Sequence, residues 1–72
     1  MYILARDKKT LLEFGRIRVF KTGKKFILEA WGRSGSPSPL YLAEYETEQE
    51  AILEMERIYA ALAASQNVYE VK

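Results

Sequence analysis

The chain has 72 residues, enough for one domain spanning 1–72, and its composition is 49% hydrophobic and 29% charged, that of an ordinary globular protein. Cys and His are both absent, which excludes thiolate nucleophiles, disulfides, zinc-finger ligation and imidazole acid–base chemistry. The net charge of +1 hides a split: residues 1–33 carry nine Lys/Arg against three Asp/Glu, and residues 34–72 carry two against seven, so +6 meets −5. Such segregation can guide an anionic ligand or dock copies head to tail, or the two halves can neutralise each other inside one monomer.

Tyr2–Ala5 is a short apolar run and reads as the first strand. Arg6–Thr10 is polar, with Asp7 suited to open a turn. Leu11–Phe14 reads as a second strand, and Gly15 marks a bend or bulge. Arg16–Lys21 alternates charged and apolar side chains, as a strand does. Thr22-Gly23 is the expected two-residue hairpin turn, leading into a partner strand over Lys24–Trp31. That turn pairs Val19 with Phe26, Ile17 with Leu28 and Arg16 with Glu29. One face then holds Ile17, Val19, Phe26, Leu28 and Ala30. The other holds Arg16, Arg18, Phe20, Ile27, Glu29 and Trp31. A one-residue slip would mix the two sets.

Gly32–Pro39 is a loop by composition. Leu40–Tyr45 is a further strand. Thr47-Glu48-Gln49-Glu50 has the capping-box pattern and opens a helix from about 48 to 64. Ala51, Ile52, Met55, Ile58, Tyr59 and Leu62 form its expected apolar stripe. Ser65-Gln66-Asn67 ends it, and Val68–Val71 reads as a last strand. The fold class expected is α+β: an antiparallel sheet of four to six short strands with one helix packed on one face. One helix covers one face, so Phe20, Ile27 and Trp31 are expected to stay open. That exposure, with Leu53 off the helix stripe, predicts a homo-oligomer, most simply a two-fold dimer.

Catalysis is not expected. Ser34, Ser36, Ser38 and Ser65 have no histidine to activate them. Glu44/Glu46 and Glu50/Glu54 flank a helix start, where solvated acids belong. With Asp7 as the single Asp, no metal cage is expected, and no cofactor. Gly32-Arg33-Ser34-Gly35 lacks the spacing of a phosphate loop, though Arg33 on a flexible segment can touch a phosphate. Arg16 and Arg18 beside Phe20 and Trp31 are also the ingredients of a nucleic-acid stacking platform. No stretch is long and apolar enough to span a membrane, and the N-terminus lacks the charge order of a secretory signal, so the cytoplasm of the host cell is the expected compartment.

Three stretches carry a resemblance: the opening MYILARDKKT, the junction Leu42-Ala43-Glu44-Tyr45-Glu46-Thr47-Glu48-Gln49-Glu50-Ala51, and the closing NVYEV. They resemble a family of small phage and prophage proteins, with Ala43 where the family pattern has Gly. Some of its members are similar to Thoeris anti-defence sponges, oligomers that sequester cyclic ADP-ribose-type immune signals without cleaving them. The resemblance implies a non-enzymatic binding protein. The residues of this chain expected to hold such an anionic nucleotide are Arg16, Arg18 and Arg33 for phosphate and Trp31 for the base. Two other readings stand beside it: an inhibitor that binds a host defence protein through the acidic helix face (Glu48, Glu50, Glu54, Glu56, Arg57), and a nucleic-acid binder using the basic sheet.

Overall fold

The computed structural model describes residues 1–35 and 37–72; Ser36, within the expected 32–39 loop, lies outside them. The element order is β1 (Tyr2–Leu4), β2 (Leu11–Thr22), β3 (Lys25–Gly32), β4 (Leu40–Tyr45), α1 (Glu48–Ala63) and β5 (Val68–Glu70). The fold is α+β, one five-stranded sheet with a single helix packed on it, in the strand order β4-β3-β2-β1-β5. Neighbouring strands are antiparallel except β1 and β5, which run parallel, so the sheet is mixed rather than antiparallel throughout. Among the described residues no helix is long and apolar enough to cross a membrane.

Leu11–Phe14 and Arg16–Lys21 join as one twelve-residue strand. The register shifts between Phe14 and Arg16, so Gly15 is the extra residue of a β-bulge. A Cβ on Gly15 would stand 2.9 Å from the Arg33 Cα and from the Gly32 carbonyl oxygen, which explains the glycine. The first part of β2 pairs with β1 and the rest with β3. The sheet curls strongly: β2 and β3 separate β1 from β4, yet the Arg6 N–H just after β1 donates to the Leu42 carbonyl of β4 at 3.0 Å.

The β2–β3 register differs from expectation by two residues. Thr22 pairs with Lys25 and Val19 with Leu28, so the turn is Gly23-Lys24. Gly23 has φ +60°, matching a turn that needs glycine at its first central position. A slip of two preserves side-chain alternation, so the two predicted faces survive intact. The cross-strand ion pair changes partner: Glu29 faces Arg18, not Arg16.

The inner face is the core. Ile3, Leu28, Leu42 and Ile58 are fully or almost fully buried, with Leu12, Ala30, Ala43 and Val71 around them. Each fully buried aliphatic side chain contributes about 1.5–3 kcal/mol relative to an exposed one. A second register shift, opposite Leu28 and Glu29, lets Leu42 and Ala43 both face inward although they are consecutive.

The helix starts as expected. The Thr47 Oγ1 accepts from the Glu50 N–H at 3.2 Å and donates to the Glu50 carboxylate at 3.0 Å. At its end the Gln66 N–H reaches the Ala61 carbonyl and the Ser65 N–H that of Leu62, with Ser65 in the left-handed region at φ +59°. Its roll about its own axis is not the expected one. The buried positions are Ala51, Glu54, Ile58 and Ala61, while Ile52, Tyr59 and Leu62 are exposed. Ala51 and Ile58 of the expected stripe stay in the core and Met55 packs against it, whereas Ile52, Tyr59 and Leu62 turn outward and small Ala61 takes a buried place beside Glu54.

Candidate functional site

Strand alternation places Arg16, Arg18, Phe20, Ile27, Glu29 and Trp31 together on the outer sheet face. This face is less open than expected. Ile27 is 8% exposed although it lies outside the core cluster, and Phe20 and Trp31 are half-buried. The two rings are covered by the arginines themselves. The Arg16 guanidinium carbon lies 4.1 Å from the centroid of the Trp31 ring, and that of Arg18 lies 4.9 Å from Phe20 and 5.2 Å from Trp31. Long basic side chains spread their stems and planes over apolar surface in this way.

The two strand arginines differ in one respect. Arg18 Nε donates to the Glu29 carboxylate at 2.7 Å, and that carboxylate is almost fully buried. Arg18 is thereby committed to neutralising Glu29. Arg16 and Arg33 have no carboxylate partner among the described residues.

Arg33 joins the group through the Gly15 bulge. Its N–H donates to the Glu13 carbonyl at 2.9 Å, which holds the end of β3 against the bulged part of β2. Arg16, Trp31 and Arg33 thus border one shallow depression of about 460 Å³, completed by Gly15, Gly32 and Gly35. Of the four residues expected to bind a ligand, these three share the depression. Arg18, 5.2 Å from the centroid of the Trp31 ring, is tied to Glu29. The Trp31 ring expected to take a base is overlaid by Arg16, so the surface offered to a ligand there is a planar cation.

A second polar cluster escaped the sequence reading. Glu54 is fully buried. One carboxylate oxygen accepts from Arg57 Nη1 at 2.9 Å; the other accepts from the Tyr69 hydroxyl at 2.7 Å and from the Lys72 N–H at 2.8 Å. Burial, followed by the hydrogen bond to Glu54, pushes the Tyr69 hydroxyl far above the ordinary tyrosine range. The Lys72 main-chain oxygen is held by Arg6 Nη2 at 3.0 Å and by the Tyr45 hydroxyl at 2.8 Å. Arg6 also donates to the Glu44 carbonyl and lies over the Tyr45 ring. No buried side-chain nitrogen or oxygen among the described residues lacks a hydrogen-bond partner, and this cluster is a structural clasp on β5. Glu54 and Arg57 therefore leave the acidic helix face, which keeps Glu48, Glu50 and Glu56. The signal in the sequence was the spacing Ala51, Glu54, Ile58, Ala61, a stripe as regular as the larger one beside it. No family model, no curated protein and no solved structure matches the chain.

Proposed function

We propose that the chain is a non-enzymatic, phage-type anti-defence protein that sequesters an anionic cyclic-nucleotide or ADP-ribose-type immune signal at the Arg16–Trp31–Arg33 depression. The observation that supports this reading is the pair of arginines that have no carboxylate partner among the described residues and share one depression, one of them lying over Trp31. The ring holds the Arg16 plane in place before any ligand arrives, which lowers the ordering cost of binding. A planar guanidinium donates two parallel hydrogen bonds to a phosphate, and a base stacks on its free face. Arg33 then supplies the second charge. Arg18 contributes by supporting Trp31 and cancelling the charge of Glu29.

Assembly into a homo-oligomer is part of the proposal. Tyr2, Leu11 and Val68 are each about half exposed, and the register Tyr2↔Val68 and Leu4↔Leu11 sets them close together on adjacent strands. Copies meeting there would cover an apolar patch that the helix cannot reach.

The test is calorimetry with a cyclic ADP-ribose-type nucleotide, with inorganic phosphate as the minimal probe and oligomer mass followed by light scattering. Arg16→Ala and Arg33→Ala are each expected to weaken nucleotide binding about tenfold or more, the size of a lost charge-assisted hydrogen bond. Lys24→Ala, at the hairpin tip, should leave it unchanged. Absence of binding to the nucleotide, or full affinity in Arg33→Ala, overturns the reading. Interleaved Arg16, Arg18, Phe20 and Trp31 also suit a single-stranded nucleic acid; affinity for an oligonucleotide that falls steeply with salt would select that reading instead.

A further inference from the structure

The outward roll of α1 leaves an apolar face that the depression on the sheet does not use. Two hollows lie along it. One, of about 500 Å³, sits beside Ile52 and Leu53 near the helix start. The other, of about 360 Å³, runs between the helix and β2 and is lined by Phe14, Ile17, Met55, Tyr59 and Leu62. Glu56 borders both. Tyr59 is 71% exposed, and Ile52, Leu53 and Leu62 are also open. From Ile52 to Tyr59 is seven residues, about 10 Å along a helix axis.

We infer that this groove docks an amphipathic helix of a partner protein, one that carries two apolar anchors seven residues apart and a Lys or Arg between them. The anchors fill the two hollows and the basic residue meets Glu56. Charge decides the occupant. Glu48 and Glu56 have no cationic partner among the described residues, the first turn of α1 is acidic, and its last turn holds no basic residue. A second copy of α1 has the right apolar spacing in its own Ile52 and Tyr59. Paired antiparallel about a two-fold axis, however, it would set Glu56 against Glu56 and offer no cation to either acidic first turn. A two-fold pair of α1 helices on this face is therefore disfavoured, and a basic helix, which the acidic α1 of a second copy is not, is favoured. The inference is independent of the nucleotide reading, because none of these residues borders the Arg16–Trp31–Arg33 depression.

The experiment measures fluorescence polarisation with two synthetic helical peptides of about eighteen residues. Both have Leu at the anchor positions; one has Lys between them and the other Glu. Wild-type protein is expected to prefer the Lys peptide at least tenfold, and Glu56→Lys should reverse that preference. Leu53→Ser with Tyr59→Ser, both at exposed positions, should abolish binding while the circular dichroism spectrum stays unchanged. Arg33→Ala should bind the peptide as wild type does, which separates this site from the nucleotide site. Equal binding of the two peptides, binding of neither, or a preference unmoved by Glu56→Lys overturns the inference. So does a dimer in light scattering that Tyr59→Ser converts to monomer, since a second copy would then be the occupant.

Discussion

The Tyr69 hydroxyl donates to the Glu54 carboxylate across 2.7 Å, joining the edge strand β5 to the buried side of α1. Because Glu54 is fully buried, the bond and its companions from Arg57 and Lys72 satisfy a charge that water cannot reach. Such a carboxylate is costly to strip of its partners, and its partners are equally costly to leave behind.

Glu54→Ala is expected to lower stability by about 3–5 kcal/mol, since it orphans the Tyr69 hydroxyl and the Lys72 N–H and opens a cavity. Tyr69→Phe, which removes one hydrogen bond to a charged acceptor, should cost about 1.5–3 kcal/mol. Urea denaturation followed by circular dichroism measures both. A Glu54→Ala protein as stable as wild type would remove the clasp from the account.

The same contact sets an alkaline limit. Burial and the adjacent carboxylate raise the Tyr69 pKa in the folded state. The unfolded chain therefore ionises first, binding fewer protons than the native state once pH passes the ordinary tyrosine value of about 10. This contribution to stability is complete below that pH and is lost as pH climbs toward the folded-state value. Denaturation midpoints measured from pH 8 to 11 should fall above pH 10, and the fall should be shallower in Tyr69→Phe. Phenolate absorbance near 295 nm offers a direct check, because Tyr69 should stay un-ionised until the protein unfolds.

Gly15→Ala is expected to cost about 1–3 kcal/mol, because its Cβ would run into the backbone of Gly32 and Arg33 rather than a movable side chain. The strand end carrying Arg33 must then move away from Arg16. Amide chemical shifts should change at 13–16 and 31–35 and stay fixed in α1. Shifts confined to the substituted residue would show that the close approach has no consequence for the depression.

At the other end of the helix a gain is expected. Ser65 occupies the left-handed position of the helix C-terminus at φ +59°, where a Cβ is a burden. Ser65→Gly should raise stability by about 0.5–1 kcal/mol, partly offset by the greater freedom of glycine in the unfolded chain. Differential scanning calorimetry would record this as a rise of a few degrees in Tm. A drop in Tm would mean that the serine contributes more than its backbone strain costs.

Local chemistry was legible in the sequence because its partners are close along the chain. The Thr47–Glu50 cap, the helix stop at Ser65 and the 40–45 strand depend on neighbours within a few residues. The two faces of β2 and β3 were legible as well, since alternation is a property of each strand alone; that brought Arg16, Arg18 and Trp31 to one side. The hairpin register was not, because a slip of two keeps every face and only the backbone preference of Gly23 distinguishes the turns. The meeting of Arg33 with Arg16 depended on the Gly15 bulge, a contact between strands that spacing does not encode. The roll of α1 was decided by tertiary packing. Two stripes one residue apart were both apolar enough, and the choice fell to close approach by Ala51 and Ala61 and to Glu54 finding donors at Tyr69 and Lys72. The parallel placement of β5 on β1 likewise rests on long-range closure, with Arg6 holding the Lys72 oxygen from the opposite end of the sequence. Propensity and alternation are local and can be read from neighbouring residues, whereas register, roll and strand direction are differences between nearly equivalent packings that only the assembled core separates.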